Sequence, residues 1–251
     1  MNDFKESLGD WISAGYALTT PLRKPAGCRV LMYHAVGGDV AGDYQGLYSV
    51  APARFSAHMR SLSELFSANV IAYDAGIASG DGIAITFDDG YRDNLTAAAP
   101  ALASTKLPFT VFVTPGFVIS GAPQYLSPLE LKELARFPGT TIGAHGNTHR
   151  RLTECSDAEL KDELSDSKTW LEDLLGQAVT TMSYPHGAVD SRVSAAAKAA
   201  GYMAAAGSRF GTHRKGDNLM QVPRTDIWAS DDQARFIAKV RGDWDWMRWL
   251  S

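Results

Sequence analysis

Short β-prone apolar runs alternate with helical stretches along most of this chain. The predicted strands lie at 28–36, 68–73, 82–87, 109–114, 140–144, 180–184, 202–206 and 220–224, and the predicted helices at 53–66, 93–104, 127–136, 156–175 and 190–200. Such alternation gives parallel neighbours, so it predicts an α/β fold with a mainly parallel sheet closed, or nearly closed, into a barrel. A length of 251 residues suits one barrel domain.

The clearest helix is expected between residues 153 and 175. Ser156 can cap its N-terminus, Glu159 follows three residues later as in a capping box, and Gly176 follows its end. This helix is expected to be scaffold.

The strand predicted at 82–87 ends in two adjacent carboxylates, Asp88 and Asp89, followed by Gly90. Successive side chains on a strand point to opposite faces, so both carboxylates reach one centre only if the strand ends and the chain turns. Gly90 permits that turn at little steric cost. One carboxylate could then bind a cation while the other handles a proton, as in metal-assisted hydrolysis. The alternative is an Asp that only caps the next helix.

Two histidines four residues apart, His145 and His149, follow another predicted strand end. This spacing brings two imidazoles together within one helical turn or a compact loop. Alone, the pair is more often structural. With a carboxylate from a different strand end, it would form a two-histidine, one-carboxylate metal site with coordination positions left for water.

Four segments carry a family resemblance. They are Thr-Phe-Asp-Asp-Gly at 86–90, continued as Tyr-Arg-Asp-Asn, then Pro-Phe-Thr-Val-Phe-Val-Thr at 108–114, Ile-Gly-Ala-His-Gly-Asn-Thr-His at 142–149, and Ser-Tyr-Pro-His-Gly at 183–187. In order and spacing they resemble the polysaccharide deacetylases with a NodB-homology domain, over most of the chain from about residue 28 to about residue 228. The resemblance implies a deformed (β/α) barrel, a divalent metal, and hydrolysis of an N-acetyl group on an amino sugar.

The resemblance also implies domain limits. Residues 1–251 are expected to form a single NodB-homology deacetylase domain, with 1–27 as an N-terminal extension and 229–251 as a C-terminal helical cover. The cover is expected because Phe236, Val240, Trp244 and Met247 recur at helical spacing.

Site roles follow position by position from the same resemblance. It implies that the metal ligands are Asp89, His145 and His149. It implies that Asp88 is the general base, which takes a proton from water as the oxyanion forms. Zinc is the first choice because borderline N/O ligation in an open site suits it, with cobalt, nickel or manganese as substitutes. The backbone N–H of His186, just after Pro185, is expected to be an oxyanion donor.

The chain departs from the family pattern at three places. His186 stands where the family usually has an aromatic residue, so either its backbone role is unchanged or a titratable group has entered the site. The Arg that many members carry shortly before the Pro, to orient the base, is missing. Arg224 is the substitute candidate, with an ordinary ion pair at the barrel rim as the alternative. The terminal Leu-His motif that supplies the general acid is also absent, and His213 lies in a sequence that reads as an exposed loop.

The general acid is instead expected upstream. Arg-Val-Leu-Met-Tyr-His-Ala-Val at 29–36 is an apolar strand with His34 near its carboxyl end, and in parallel barrels that end faces the active site. Tyr-His here resembles the subgroup of these deacetylases that acts on exported glucosamine polymers. A buried, hydrogen-bonded core histidine is the alternative.

Substrate contacts are expected around the same strand ends, at Tyr91, Pro185, Arg224 and Trp228. Trp228 is the preferred sugar platform. The loop at 37–52 follows His34, and its tyrosines, Tyr44 and Tyr48, either stack on sugars or pack against the rim.

Composition limits the partners and the compartment. A net charge of −4 and a pI near 5.9 argue against nucleic acid or an anionic membrane surface. An N-acetylated amino-sugar glycan or a lipid-linked sugar precursor remains compatible. The sequence shows no signal peptide and no transmembrane segment, which predicts a cytoplasmic protein, including the inner membrane face. Cys28 and Cys155 are expected to be reduced, buried thiols.

The favoured function is therefore a metal-dependent hydrolase that removes N-acetyl groups from an amino-sugar-containing glycan or glycan precursor. The alternatives are hydrolysis of another linear or cyclic amide, and a catalytically silent member that binds glycans. Retention of Asp88 beside a full ligand set favours an enzyme, since a pure binder needs no base beside the metal.

Overall fold

The computed structural model describes residues 9–13, 15, 27–40 and 42–249. In this part of the chain, seven strands form one sheet with the order β6-β5-β4-β3-β2-β1-β7, and every pairing is parallel. The strands are β1 (Cys28–Tyr33), β2 (Gly82–Phe87), β3 (Phe109–Val113), β4 (Thr140–Ala144), β5 (Thr181–Ser183), β6 (Ala204–Ala206) and β7 (Thr225–Asp226).

Helices connect these strands. They are α1 (Pro52–Phe66), α2 (Tyr73–Ser79), α3 (Ala99–Thr105), α4 (Pro115–Ser120), α5 (Pro128–Ala135), α6 (Asp157–Leu175), α7 (Ser191–Ala199) and α8 (Gln233–Arg241). A π-helical turn at Asn94–Ala98 precedes α3, and short 3₁₀ turns occupy Ser67–Asn69, Leu152–Glu154, Pro185–Gly187, Leu219–Gln221 and Asp245–Trp249.

The two edges of the sheet approach each other. Ala206, the last residue of β6, forms a single parallel bridge with Val222, shortly before β7. The N–H of Gly207 donates to the carbonyl oxygen of Val222 at 2.9 Å. This incomplete closure makes the sheet a deformed (β/α) barrel, as the sequence predicts.

Residues that alternate along a strand pack into two different apolar layers. On β1, Leu31 and Tyr33 belong to the large core between the sheet and the helices, while Val30 packs in the barrel interior. The interior also takes Ala204 and Ala206, whose small side chains suit a narrow space. Since both faces are buried, β1 and β2 are mainly apolar in sequence, with Arg29 and Thr86 as buried polar exceptions.

Several predicted elements have the expected bounds. The strands predicted at 82–87 and 140–144 are confirmed. The capping box of α6 is also confirmed, because Ser156 and Glu159 bond to each other's backbone N–H groups. Gly176 ends this helix in a left-handed conformation with φ 67°.

The local structure departs from the sequence prediction at several places. No strand occupies 68–73, where only Val70 forms a bridge, and a helix begins at Tyr73. The strand predicted at 220–224 is a 3₁₀ turn followed by the two residues of β7. The helices α2 and α4 were not expected. The C-terminal helical pattern is interrupted at Gly242, which ends α8 with φ 93°, so Trp244 packs after the helix.

Two further sequence predictions concern the cysteines and membrane-spanning segments. Cys28 and Cys155 are free and buried, as expected. Among the described residues, no helix is both long and apolar enough to cross a membrane. The limits of the domain, including the extension at 1–27, of which residues 9–13, 15 and 27 are described, stay predictions.

A buried histidine joins α1 to α8. His58 places Nδ1 3.2 Å from the Tyr33 hydroxyl and Nε2 3.0 Å from the carbonyl oxygen of Asp231, and its ring stacks on Phe236 with 4.0 Å between centroids. Burial lowers the pKa of His58 to about 4, although the Asp231 carbonyl opposes this shift.

We expect this histidine to make stability depend on pH. Below the unfolded-state pKa of about 6.5, the unfolded chain binds a proton that folded His58 refuses until pH reaches about 4. The free energy of unfolding should therefore fall as pH drops, with His58 contributing about 2 kcal/mol of the loss between pH 7 and pH 5. Urea unfolding of His58→Gln should show a correspondingly flatter pH dependence. An identical slope in both proteins would contradict this.

Candidate active site

Polar side chains gather at the carboxyl ends of the parallel strands. Asp88 and Asp89 directly follow β2, His145 follows β4, and Ser183 is the last residue of β5. They meet at one edge of the sheet, and Asp88, Asp89 and His145 line a cleft of about 540 Å³. This is the edge at which βα-barrels place their active sites.

The three expected metal ligands lie together. Asp89, His145 and His149 offer ligand atoms within 4.8 Å of one another. Oδ1 of Asp89 lies 3.4 Å from Nε2 of His145 and 3.2 Å from Nε2 of His149. This oxygen is buried and makes no other hydrogen bond within the described part of the chain. A buried oxygen facing two imidazole nitrogens fits a divalent cation.

The surroundings of Asp89 and His145 favour the forms of these two side chains that bind a metal, whereas Asp89 raises the pKa of His149 against the effect of burial. Burial alone would raise the pKa of Asp89, but the neighbouring His149 and His145 outweigh it and hold that pKa below its usual value. Burial lowers the pKa of His145 to about 4, although Asp88 and Asp89 oppose the shift. At neutral pH the carboxylate is therefore ionised and His145 is neutral, as metal binding requires.

Ser183 orients His145. Nδ1 of His145 lies 3.0 Å from the carbonyl oxygen of Ser183 and 2.6 Å from its hydroxyl oxygen. A metal-ligating histidine usually holds its second nitrogen in this way. Nε2 is consequently the nitrogen left to face Asp89.

Strained backbone concentrates at this site. In the described chain, four non-glycine residues have positive φ, and three of them are Asp89 (74°), His149 (63°) and His186 (58°). Each such conformation costs about 1–3 kcal/mol, and strain of this kind clusters at functional sites. Gly90, with φ 81°, completes the turn that the sequence predicts after β2.

Glu163 on α6 holds the loop between the two histidines. Its Oε2 accepts from the backbone N–H groups of Asn147 (2.7 Å) and Thr148 (2.9 Å), and its Oε1 accepts from the Thr148 hydroxyl. Sequence reasoning missed this residue. The available signal was an acidic residue on the apolar stripe of a helix, beside Leu160 and Leu164.

Removing Glu163 should therefore weaken metal binding. We expect Glu163→Ala to lower the affinity for Zn²⁺ about 10- to 100-fold, because the backbone between the ligands loses its acceptor. Competition with a chromophoric chelator measures this affinity. Asp162→Ala, at an exposed carboxylate on the same helix, is the matched control. Equal affinities in the two variants would rule out the positioning role.

A buried arginine grips Asp88. Nη1 and Nη2 of Arg224 donate to Oδ1 and Oδ2 of Asp88, both at 2.7 Å, and the hydroxyl of Ser183 donates to Oδ1 at 3.1 Å. Burial would raise the pKa of Asp88, but the adjacent charge of Arg224 outweighs it and holds the pKa well below the usual range. Since Arg224 is buried and occupied by Asp88, this geometry favours the orienting role over a rim ion pair or a substrate contact.

His34 follows β1 and lines the same cleft. Its ring lies 4.6 Å from that of Tyr48, and its carbonyl oxygen accepts from Nδ2 of Asn94 at 2.9 Å. Asp226, at the end of β7, also lines the cleft, and sequence reasoning missed it. Burial raises the pKa of Asp226, while His34 is the first of the neighbouring charges that oppose this shift.

Other expected site residues divide between the cleft and its surroundings. Tyr91 lines the cleft, and its ring stacks on Tyr125 with 5.1 Å between centroids. His186 is exposed at the cleft, with Nε2 3.2 Å from the carbonyl oxygen of His149. Pro185 is buried and begins the 3₁₀ turn that carries His186. Their chemical roles stay predictions.

The surroundings of two residues, His213 and Trp228, differ from those expected from the sequence. His213 is buried rather than in an exposed loop, because its backbone pairs with Cys28 at the amino end of β1, opposite the site. Trp228 donates from Nε1 to Oδ2 of Asp226 at 2.9 Å, and Nζ of Lys239 lies 3.6 Å from its ring centroid. One face of the indole is thus occupied, which favours a role in holding Asp226 over that of a sugar platform.

Known proteins are similar to this chain in sequence and in structure. A Bacillus subtilis (strain 168) protein named as a polysaccharide deacetylase, YxkH, is 26% identical over 211 residues, which are 81% of this chain and 72% of that protein. The peptidoglycan-N-acetylglucosamine deacetylase PgdA of Listeria monocytogenes is 32% identical over 113 residues, 45% of this chain and 23% of PgdA. The structure of the Streptococcus pyogenes deacetylase PplD in complex with acetate has the same fold, with a TM-score of 0.75, 20% identity, and coverage of 86% of this chain and 99% of that chain.

The family itself is shown by a match to the sequence. The polysaccharide deacetylase family model matches residues 76–205, which is more than half of the 251 residues. The matched range contains both aspartates after β2 and both histidines after β4. The chain therefore belongs to the polysaccharide deacetylase family.

Proposed function

We propose that this protein is a metal-dependent hydrolase that removes N-acetyl groups from an amino-sugar-containing glycan or glycan precursor. The observation that supports this most is the buried Asp88, held ionised by Arg224 beside the Asp89, His145 and His149 cluster. A cleft that only binds glycans has no use for an oriented carboxylate at this position.

The three ligand residues fit a divalent ion, with zinc as the first choice and cobalt, nickel or manganese as substitutes. When bound there, such an ion supplies Lewis acidity to the amide carbonyl and lowers the pKa of water. The protein's own part is to orient the side chains that move protons.

Two side chains divide the proton transfers. Asp88 accepts the proton of the attacking water, and Arg224 keeps both carboxylate oxygens in place. The amide nitrogen must be protonated before the C–N bond breaks, and His34 donates this proton from the end of β1. The backbone N–H of His186 is the proposed donor to the oxyanion.

The proposed substrate class is an N-acetylated amino-sugar glycan or a lipid-linked sugar precursor. The name of PgdA, which is similar over 113 residues, specifies N-acetylglucosamine of peptidoglycan as that protein's substrate. Tyr48 lines the cleft and is partly exposed, so its ring offers aromatic surface that suits the apolar faces of sugar rings.

Acetate release tests the proposed function. Protein stripped by a chelator and reloaded with Zn²⁺, Co²⁺, Ni²⁺ or Mn²⁺ should release acetate from N-acetylglucosamine oligosaccharides, whereas the stripped protein should not. Elemental analysis should find one metal ion per wild-type chain and far less in His145→Ala, which removes one ligand. Equal metal content in the two proteins would exclude this site. Metal binding without acetate release from any N-acetylated sugar would favour a silent glycan-binding member.

A further inference from the structure

A second groove of about 570 Å³ adjoins the active-site cleft. The two share Gly187, Ser208 and Phe210 as lining residues. The groove follows the segment between β6 and β7, where the barrel closes incompletely. A ligand that extends from the cleft past these three residues therefore enters the groove.

Three exposed arginines line this groove: Arg209, Arg214 and Arg248. None of their guanidinium groups forms an ion pair with another described residue. One acid, Asp217, lies among the described lining residues, and its Oδ2 accepts from the backbone N–H of Arg214 at 2.8 Å. The groove thus carries excess positive charge in a chain whose net charge is −4.

Charge differs between the cleft and the groove. The loop after His34 lines the cleft but not the groove, and it includes Asp43, whose Oδ2 accepts from the N–H of Tyr48 at 2.7 Å. A groove of one sign concentrates ligands of the other sign. A substrate with a neutral end and an anionic end would bind in one direction.

We propose that this groove binds an anionic group, a phosphate or a carboxylate, on the part of the substrate next to the acetylated sugar. Guanidinium groups match both anions, because their planar N–H donors can pair with two oxygens at once. The proposal rests on the proposed function, since it names the class of glycan that the same cleft would deacetylate. A neutral polymer offers no charge to three arginines that form no ion pair with a described residue.

Three matched disaccharides test this on the metal-loaded protein. Each has an N-acetylated sugar as its first residue. The second sugar is a neutral methyl glycoside, a 1-phosphate or a uronate. We expect kcat/KM to be about tenfold higher for the preferred anionic disaccharide than for the neutral one at low salt, because exposed charge pairs contribute modestly. The preference should shrink as ionic strength rises. The phosphate and carboxylate arms identify the anion.

The combined variant R209Q, R214Q and R248Q should bring the ratio of anionic to neutral kcat/KM close to one. Arg136→Gln is the matched control, since Arg136 is an exposed arginine before the amino end of β4, at the opposite edge of the sheet, and should keep the wild-type ratio. A wild-type ratio of one, or a combined variant that keeps the preference, overturns the proposal.

Isothermal titration calorimetry distinguishes failure of the proposed deacetylase function from failure of the proposed anion binding in the groove. If no disaccharide releases acetate, the proposed function fails, but titration of the same three compounds still reports the groove. Tighter binding of an anionic disaccharide, lost in the combined variant and kept in Arg136→Gln, supports the groove in either case. Equal affinity for all three compounds overturns it.

Discussion

Replacing Asp88 by Asn is expected to lower turnover at least about a hundredfold while the metal content stays near that of the wild type. The amide keeps the shape of the side chain but cannot take the proton of the attacking water. Asp89 carries the oxygen that lies nearer to the histidines, at 3.4 Å from Nε2 of His145, against 3.9 Å for Oδ2 of Asp88. Substitution of Asp88 should therefore affect turnover, whereas substitution of Asp89 should affect metal content.

Asp89→Asn is the matched comparison for this experiment. It should lose most of the metal, because Oδ1 of Asp89 faces both His145 and His149. Elemental analysis and acetate release on both variants measure the two effects. If Asp88→Asn loses the metal and Asp89→Asn keeps it, the roles of base and ligand are exchanged.

The parts of the fold that the sequence predicts well are those with a local signal. The strand at 82–87 is a buried apolar run, and α6 has a capping box and a terminal glycine. The run at 68–73 is apolar too, but periodicity cannot distinguish a short buried strand from a turn that leads into a helix. In the structure, Val70 and Tyr73 are buried without forming a strand. The helix α4 begins at Pro115, and Pro-Gly reads locally as a turn.

The candidate site likewise has residues that a local motif predicts and contacts that no local motif predicts. The two aspartates after β2 and the two histidines after β4 stand in compact motifs, so their proximity follows from parallel strands that end at one edge. Arg224 contacts Asp88 across 136 residues, and the loop that contains Thr148 reaches Glu163 on a helix. No spacing rule predicts such contacts. They are set by how the barrel closes and how α6 packs.

The proximity of Asp226 to His34, the proposed general acid, could not be predicted from the sequence either. It lies on β7, two residues long, while His34 follows β1 nearly 200 positions earlier in the chain. The pairing of β1 with β7 brings these strand ends together. A single sequence holds no signal for this neighbour, because an Asp before an apolar residue is common at any strand end.

Replacing His34 by Gln is expected to lower kcat by roughly two orders of magnitude with the metal retained. An amine leaves poorly unless it is protonated, and His34 lines the cleft at the end of β1, where Asp226 lines it too. The acid must be protonated to act, so activity falls above its pKa. The variant should therefore lose the alkaline limb of the pH profile as well as turnover.

His186 is the competing acid, and His186→Gln is the comparison that decides between them. His213 is no longer a competitor, because its backbone pairs with Cys28 at the other end of β1. His186 is exposed and lies against the carbonyl oxygen of His149, whereas His34 sits on a backbone that Asn94 fixes through a hydrogen bond of 2.9 Å. A proton donor must hold its geometry through the reaction, which favours the more rigid residue. Full turnover in His34→Gln with loss in His186→Gln would place the acid after β5 instead, and the proton would then come from the side of the cleft that carries the metal ligands.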